Sequence, residues 1–344
     1  MKKFDFSRRK STETRRQFNL EQTIEKFLDA KRLQRRSEKT IKSYKQTLYH
    51  FAKFCSDHGL TGVEYDCVKH YIKYMTFEKV KWDDHPTSHS DEIGVSSRTI
   101  NNIIRNIRIF YNWAEQEKLS YINPAAHVEY QKENEESFDV FTDEEVKALL
   151  DAPNKRTYTG FRDYVMMLVL VDTGVRVGEL TTLKRCDVDL LYRQIILPAE
   201  ITKARRARVV PISPTTAKAL GDLFDMIGAD DSQSDEYIFL TQFGERYYGD
   251  TFAKMLKKYA KKSGYPIKAR VSPHTFRHYF AIKFLRNGGD PFALMKILGH
   301  TDMAMTQRYV RYAKSEVMDI HEKASPVEAI ISTRNKRKGS IKFK

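Results

Sequence analysis

Over residues 18–33 the apolar positions Phe18, Ile24, Phe27 and Leu28 fall at helical spacing, which predicts an amphipathic helix. Ser37-Glu38-Lys39-Thr40 reads as a second helix start. Ile41, Tyr44, Leu48, Phe51 and Cys55 then recur every three or four residues as one buried stripe, up to a stop at Gly59. Lys39, Lys42 and Lys53 fall on the opposite face. A third helix is expected at 68–77. A long fourth begins at Ser97, with Ile100, Ile103, Ile104, Ile107, Tyr111 and Ala114 on one side and Arg98, Asn101, Asn102 and Arg105 on the other. The polar segment 82–97, which holds Pro86 and Gly94, predicts a loop between them. The pattern stops at Asn123-Pro124, so residues 18–126 read as an all-helical domain.

Residues 127–138 are rich in Glu and Lys, lack an apolar period, and read as a linker. Thr142-Asp143-Glu144-Glu145 has the form of a helix cap with acids in the first turn. Helices are expected at 143–151 and 158–173. The texture then changes. The runs Gln194-Ile195-Ile196-Leu197 and Arg208-Val209-Val210-Pro211-Ile212 flank the basic segment Thr202-Lys203-Ala204-Arg205-Arg206, a β-hairpin signal. From Pro214 the pattern is mainly helical to about residue 323. The expected fold is therefore mainly α in two domains. The first is helical at 18–126, and the second, α+β at 139–325, carries a small antiparallel sheet. A basic stretch at 1–17 and a basic tail at 326–344 flank them.

A length of 344 residues suits two domains. The longest apolar run, 164–171, is too short to span a bilayer, and residues 1–5 lead into charged sequence with no apolar signal segment, so a cytoplasmic protein without a membrane partner is expected. Three cysteines, Cys55, Cys67 and Cys186, exclude a disulfide scaffold or a Cys-rich zinc site. The net charge is +15. Seven Lys/Arg against two acids lie in residues 1–19, and six against one in residues 326–344. Two thirds of the excess is therefore at the ends, which points to a polyanion partner.

Four stretches of the second domain hold unusual polar residues. They are Thr173-Gly174-Val175-Arg176-Val177-Gly178-Glu179-Leu180, Lys203 on the hairpin, His274-Thr275-Phe276-Arg277-His278 after Pro273, and Leu298-Gly299-His300, followed nine residues later by Tyr309. Taken singly each is ordinary: an Arg beside a Glu is usually a surface ion pair, and a hairpin Lys is usually only solvated. As a set they suit a phosphate pocket. Arg binds phosphate oxygens bidentately, His and Lys move protons, and Tyr can be a covalent nucleophile. No carboxylate cluster suggests Mg²⁺ and no Gly-x-x-x-x-Gly-Lys-Ser/Thr loop suggests ATP, so neither cofactor nor metal is expected.

The set resembles the tyrosine recombinases, the Xer recombinases and phage or transposon integrases. Their order of Arg, Lys, His-x-x-Arg, His/Trp and Tyr is matched by Arg176, Lys203, His274-x-x-Arg277, His300 and Tyr309. The Thr-Gly-hydrophobic-Arg-x-x-Glu-Leu box is matched by residues 173–180, and Thr-x-x-Tyr by Thr306-Gln307-Arg308-Tyr309. Tyr312 is a second candidate nucleophile; the distance from His300 and the Thr-x-x-Tyr context favour Tyr309. The resemblance covers roughly residues 18–325. It implies a SAM-like core-binding domain, a catalytic domain, and a site-specific recombinase acting through a 3′-phosphotyrosine for integration, excision or resolution of a DNA element. Arg176 and Arg277 would clamp the phosphate, and His300 would hydrogen-bond it. Lys203 would protonate the leaving oxygen, His274 would take the tyrosine proton, and Glu179 would orient Arg176. The implied partner is double-stranded DNA, held by a homotetramer on two sites, with an accessory DNA-bending or directionality factor. Lys39, Lys42 and Lys53 would meet phosphates, and Arg98, Asn101, Asn102 and Arg105 would face a groove. A type IB topoisomerase carries a similar set, and a catalytically idle DNA-binding protein of this fold is the other alternative.

Overall fold

The computed structural model describes residues 18–81, 91–133, 139–228 and 234–313, with Ser325 and Val327. The basic stretch at 1–17, most of the loop expected at 82–97, residues 134–138, and the tail apart from Val327 lie outside those residues. The chain divides into two compact units, residues 1–136 and 137–344. Among the described residues no helix is long and apolar enough to cross a membrane.

The first unit holds α1 (Leu20–Leu33), α2 (Glu38–Asp57), α3 (Cys67–Phe77) and α4 (Ser97–Gln116). Each of α1, α2 and α4 starts on a side-chain cap: Asn19, Ser37 and Ser96 accept a backbone N–H of the first turn, satisfying donors that helix geometry leaves open. The apolar stripes meet in one core, where Phe27 sits edge-on to Tyr44, Phe110 and Trp113. Buried Asn106 donates to Thr47 Oγ1 at 3.0 Å and so pins α4 to α2. The segment read as a linker begins later than expected. Val128 is buried, the Arg108 guanidinium donates to the Val128 carbonyl, and Gln131 Nε2 donates to Thr76 Oγ1 at 3.1 Å. Residues 127–133 therefore pack on the first unit. On either side of the undescribed loop, Val80 and Ile93 form an antiparallel bridge.

The second unit contains α5 (Asp143–Asp151), α6 (Tyr158–Thr173), α7 (Val177–Leu180), the strands β1 (Val188–Asp189), β2 (Gln194–Leu197) and β3 (Arg208–Pro211), then α8 (Pro214–Ile227), α9 (Gly249–Lys262), α10 (Pro273–Arg286), α11 (Pro291–Leu298) and α12 (Met303–Ala313). The sheet is antiparallel in the order β1-β2-β3, with Ile195 opposite Val210 and Leu197 opposite Arg208. β1 was not expected, because two residues are too few to show alternation. Ile195, Leu197 and Val210 turn into the main core. α6 lies at its centre, and α10 packs against both α6 and α12. A second cluster of Phe280, Ala281, Ile282, Leu285, Leu294 and Leu298 joins α10 to α11 and α12. This packing, worth ~1.5–3 kcal/mol for each fully buried large side chain, brings the sequence-distant boxes together.

Candidate active site

α6 ends at Gly174, whose left-handed backbone (φ +61) reverses the chain. A Cβ there would lie 2.4 Å from the Phe280 ring, so only glycine fits. The chain then presents Arg176 just before α7. Glu179, on the first turn of α7, is buried. It accepts the Arg176 backbone N–H at 3.0 Å and Arg176 Nη1 at 3.1 Å. Its remaining capacity is taken by Arg208 of β3, whose Nη2 and Nη1 reach it at 2.6 and 3.2 Å. Burial pushes the Glu179 carboxyl up, but the pairing with Arg208, then Arg176, more than offsets this and leaves it below the usual glutamate range. Arg208 Nε also donates to the Ile297 carbonyl at 2.9 Å. Its guanidinium lies over Gly299 (φ +63), where a Cβ would sit 2.9 Å from Nη1. That contact explains the glycine of the Leu-Gly-His box.

Arg277 projects from α10 and is buried. It donates to the Gly174 carbonyl at 2.7 Å, the Leu298 carbonyl at 2.8 Å and His300 Nε2 at 3.0 Å. Arg176 Nη1 points at the same Leu298 oxygen from 3.5 Å, so two guanidiniums converge on one acceptor. Burial, then the neighbouring Arg176, lowers the Arg277 pKa to about 10, which leaves it charged at neutral pH. His300 accepts from Arg277 through Nε2, which makes Nδ1 its protonated nitrogen, donating to Thr306 Oγ1 at 2.9 Å. Burial, followed by the charges of Arg277, Arg176 and Arg208, lowers its pKa to about 4. His300 is thus neutral, and its ring stacks parallel to Tyr309 with centroids 6.2 Å apart.

Tyr309 is buried in the cluster formed by α10, α11 and α12. Its hydroxyl lies 3.0 Å from His278 Nδ1, and Arg277 is also within hydrogen-bonding reach. Burial raises its pKa above the ordinary tyrosine value against the opposing charges of Arg277 and Arg308. Tyr312, one turn on, is exposed.

The structure therefore gathers Arg176, Glu179, Arg277, His300 and Tyr309 into one network. Lys203 is exposed on the β2–β3 connection, whose shape is held by Thr202 accepting Arg206 N at 3.0 Å. His274 is exposed on the first turn of α10, and His278, one turn further along, lies within hydrogen-bonding distance of Tyr309. Sequence reading missed His278 and Arg208. His278 has the signal of sharing a helix face with His274 at i, i+4. Arg208 has the signal of strand alternation: it shares a face with inward-turned Val210 and so needs a buried anion.

In the first unit Lys39, Lys42, Lys53, Arg98, Asn102 and Arg105 are all exposed on α2 and α4. Asn101 is a correction. Its Nδ2 donates to the Gln131 carbonyl at 2.9 Å and to Glu133 Oε1 at 2.7 Å, while its Oδ1 accepts Gln131 N at 2.8 Å. An amide engaged at both ends holds the 131–133 segment and is not presented to a base.

Residues 139–316 match the model of the phage integrase family, and residues 19–132 that of the phage integrase SAM-like domain. The chain is 26% identical to tyrosine recombinase XerD of Staphylococcus epidermidis over 313 residues, covering 88% of this chain and 98% of that one. It is 29% identical to tyrosine recombinase XerD of Oceanobacillus iheyensis over 312 residues, covering 89% and 99%. The fold is similar to that of the Tn1549 transposon integrase in complex with transposon right end DNA (TM-score 0.65, 18% identity, 85% and 94% covered). It is also similar to the lambda integrase bound to DNA (TM-score 0.63, 15% identity, 87% and 97% covered). With both domains matched in order and the two arginines, histidine and tyrosine of the family's boxes joined in one network, the chain belongs to the phage integrase family of tyrosine recombinases.

Proposed function

We propose that the protein is a site-specific DNA recombinase that cuts one strand at a time through a covalent 3′-phosphotyrosine at Tyr309 and rejoins it to a second DNA. The observation that carries this reading is the convergence of Arg176 and Arg277 on one acceptor, the Leu298 carbonyl oxygen, with Arg277 also within reach of the Tyr309 hydroxyl. A scissile phosphate presents such an acceptor and carries the charge that two guanidiniums neutralise. Beyond its bonds to Gly174, Leu298 and His300, Arg277 has two further N–H hydrogens, one approaching the Tyr309 hydroxyl and one left for the phosphate, and Glu179 holds Arg176 in line. Tyr309 Oη attacks phosphorus, and the P–O5′ bond breaks with its electron pair on the leaving oxygen. Lys203, on the β2–β3 connection, supplies the proton. In the second half-reaction the 5′-hydroxyl of a partner strand attacks the phosphotyrosine, so the bond energy is conserved and no nucleotide cofactor is consumed. His300, neutral with Nε2 turned toward Arg277, keeps that guanidinium aimed until the phosphate arrives.

Double-stranded DNA is the substrate in this reading. The stripes Lys39/Lys42/Lys53 and Arg98/Asn102/Arg105 lie at helical spacing on exposed faces and suit phosphate and groove contacts. A homotetramer on two DNA sites, with an accessory DNA-bending or directionality factor, would complete strand exchange.

The test is covalent trapping on a nicked suicide substrate. Tyr309→Phe is expected to abolish the protein–DNA adduct and leave DNA binding within a few-fold of wild type, while Tyr312→Phe retains the adduct. Adduct in Tyr309→Phe, or its loss in Tyr312→Phe, overturns the assignment. Recombinant product from two-site DNA separates a recombinase from an enzyme that only relaxes supercoils.

A further inference from the structure

We infer that His278, and not His274, is the base that takes the proton from Tyr309 as it attacks, a step that rests on the function proposed above. The geometry carries it. His278 Nδ1 lies 3.0 Å from the Tyr309 hydroxyl, inside the range for proton transfer in a hydrogen bond. Arg277 fixes the direction of that bond. Arginine can only donate, so where it approaches Oη it occupies an oxygen lone pair. The hydroxyl hydrogen is then available to His278, whose Nδ1 at 3.0 Å accepts in the Nε2–H tautomer. His300 cannot take this part. Its Nε2 accepts from Arg277 and its Nδ1 donates to Thr306. Its ring also lies parallel to the tyrosine ring. His274 is exposed on the first turn of α10, one turn before His278.

The placement follows from the fold. Arg277 and His278 are adjacent on α10, so one helix aims a donor and an acceptor at the same phenol, while α12 packs against it to present Tyr309. A base is required because burial holds the phenol neutral; the charges acting on it are those of Arg277, Arg308 and Arg176. The step balances. The O–H bond of Tyr309 breaks, its proton goes to Nδ1, its electron pair forms the Oη–P bond, and the P–O5′ bond breaks with protonation by Lys203. On reversal, imidazolium returns the proton to the departing phenolate.

The experiment is single-turnover adduct formation on the suicide substrate from pH 6 to 9. His278→Gln keeps a hydrogen bond to the phenol but cannot accept a proton, and its rate is expected to fall roughly 10²-fold or more. Its rate should then climb with pH across the whole range, and replacing Tyr309 by a fluorinated tyrosine of lower pKa should recover most of the loss. His274→Gln is expected to keep the wild-type pH profile and to gain nothing from fluorination. A His278→Gln rate within threefold of wild type, or the fluorination rescue appearing in His274→Gln instead, overturns the assignment. Should His278→Gln not fold, the fluorinated tyrosine in an otherwise unaltered chain decides. An inflection in the pH profile that stays in place reports a neighbouring base, and one that moves down with the phenol pKa refutes it. Tyr309→Phe is run alongside. Adduct in that variant sinks the nucleophile assignment itself, whereas no adduct there together with an unaffected His278→Gln sinks only the role of His278.

Discussion

Replacing Arg208 with methionine should disarm the site without touching any residue that meets DNA phosphate in the proposed reaction. Glu179 is 2% exposed and Arg208 10% exposed, and they share bonds of 2.6 and 3.2 Å. Removing one partner of a buried ion pair costs about 3–5 kcal/mol, because the remaining charge is left without compensation. Arg176 still donates to Glu179 at 3.1 Å, so the lower end, about 3 kcal/mol, is expected here. For a unit of this size each kcal/mol lowers Tm by roughly 2–4 °C, which predicts a fall of about 6–12 °C. Arg176, now the sole partner of a buried carboxylate, is drawn toward it and away from the phosphate. Single-turnover cleavage should therefore drop at least tenfold, equivalent to about 1.4 kcal/mol in the transition state. Thermal unfolding followed by circular dichroism, with cleavage on the suicide substrate, measures both for Arg208→Met, Glu179→Gln and the double variant. Removing both charges should cost less than the sum of the single effects, with a coupling of about 0.5–3 kcal/mol. A Tm within about 2 °C of wild type for Arg208→Met, or strict additivity, would refute the claim that Arg208 compensates Glu179.

Gly299→Ala should reproduce much of this effect from the other side. Its left-handed backbone costs a non-glycine residue about 1–2 kcal/mol, and the new Cβ would displace the Arg208 guanidinium; adding it to Arg208→Met should then cost less in cleavage than it does alone, and equal losses in both backgrounds would refute the contact. The neutral His300 makes stability acid-sensitive. Its folded pKa of about 4 lies below the ordinary 6.5, so the unfolded chain binds the proton first, and the contribution is complete above about pH 6.5 and lost as pH falls toward 4. Urea midpoints at pH 7 and pH 5 should converge in His300→Asn relative to wild type, and an unchanged difference would show that other groups carry the acid loss.

Much of this molecule was determined by the sequence alone, where the determining interactions are local. The stripes on α2 and α4 needed only a period near 3.6, and the helices at 143–151 and 158–173 were bounded by their own capping residues, Thr142 and Thr157. The hairpin strands followed from two β-branched runs around a basic turn. The boxes around Arg176, Arg277, His300 and Tyr309 were legible as a set, because their residue types together suit phosphate and their order resembles that of the tyrosine recombinases. What the tertiary structure decided was who touches whom across long separations. Arg208 lies 29 positions from Glu179, and β3 and α7 meet only because the sheet and α11 fold over the same core. Asn101 looked like a base-reading residue on its helix face until the chain returned 30 residues later to occupy its amide. Within α10, His274 and His278 share a face and cannot be told apart by pattern; the packing of α12 decides that the second one meets the tyrosine. Periodicity reports which side of an element is buried, whereas the partner of a buried polar group is a property of the assembled core, where an unmet hydrogen bond or charge costs too much to be left in place.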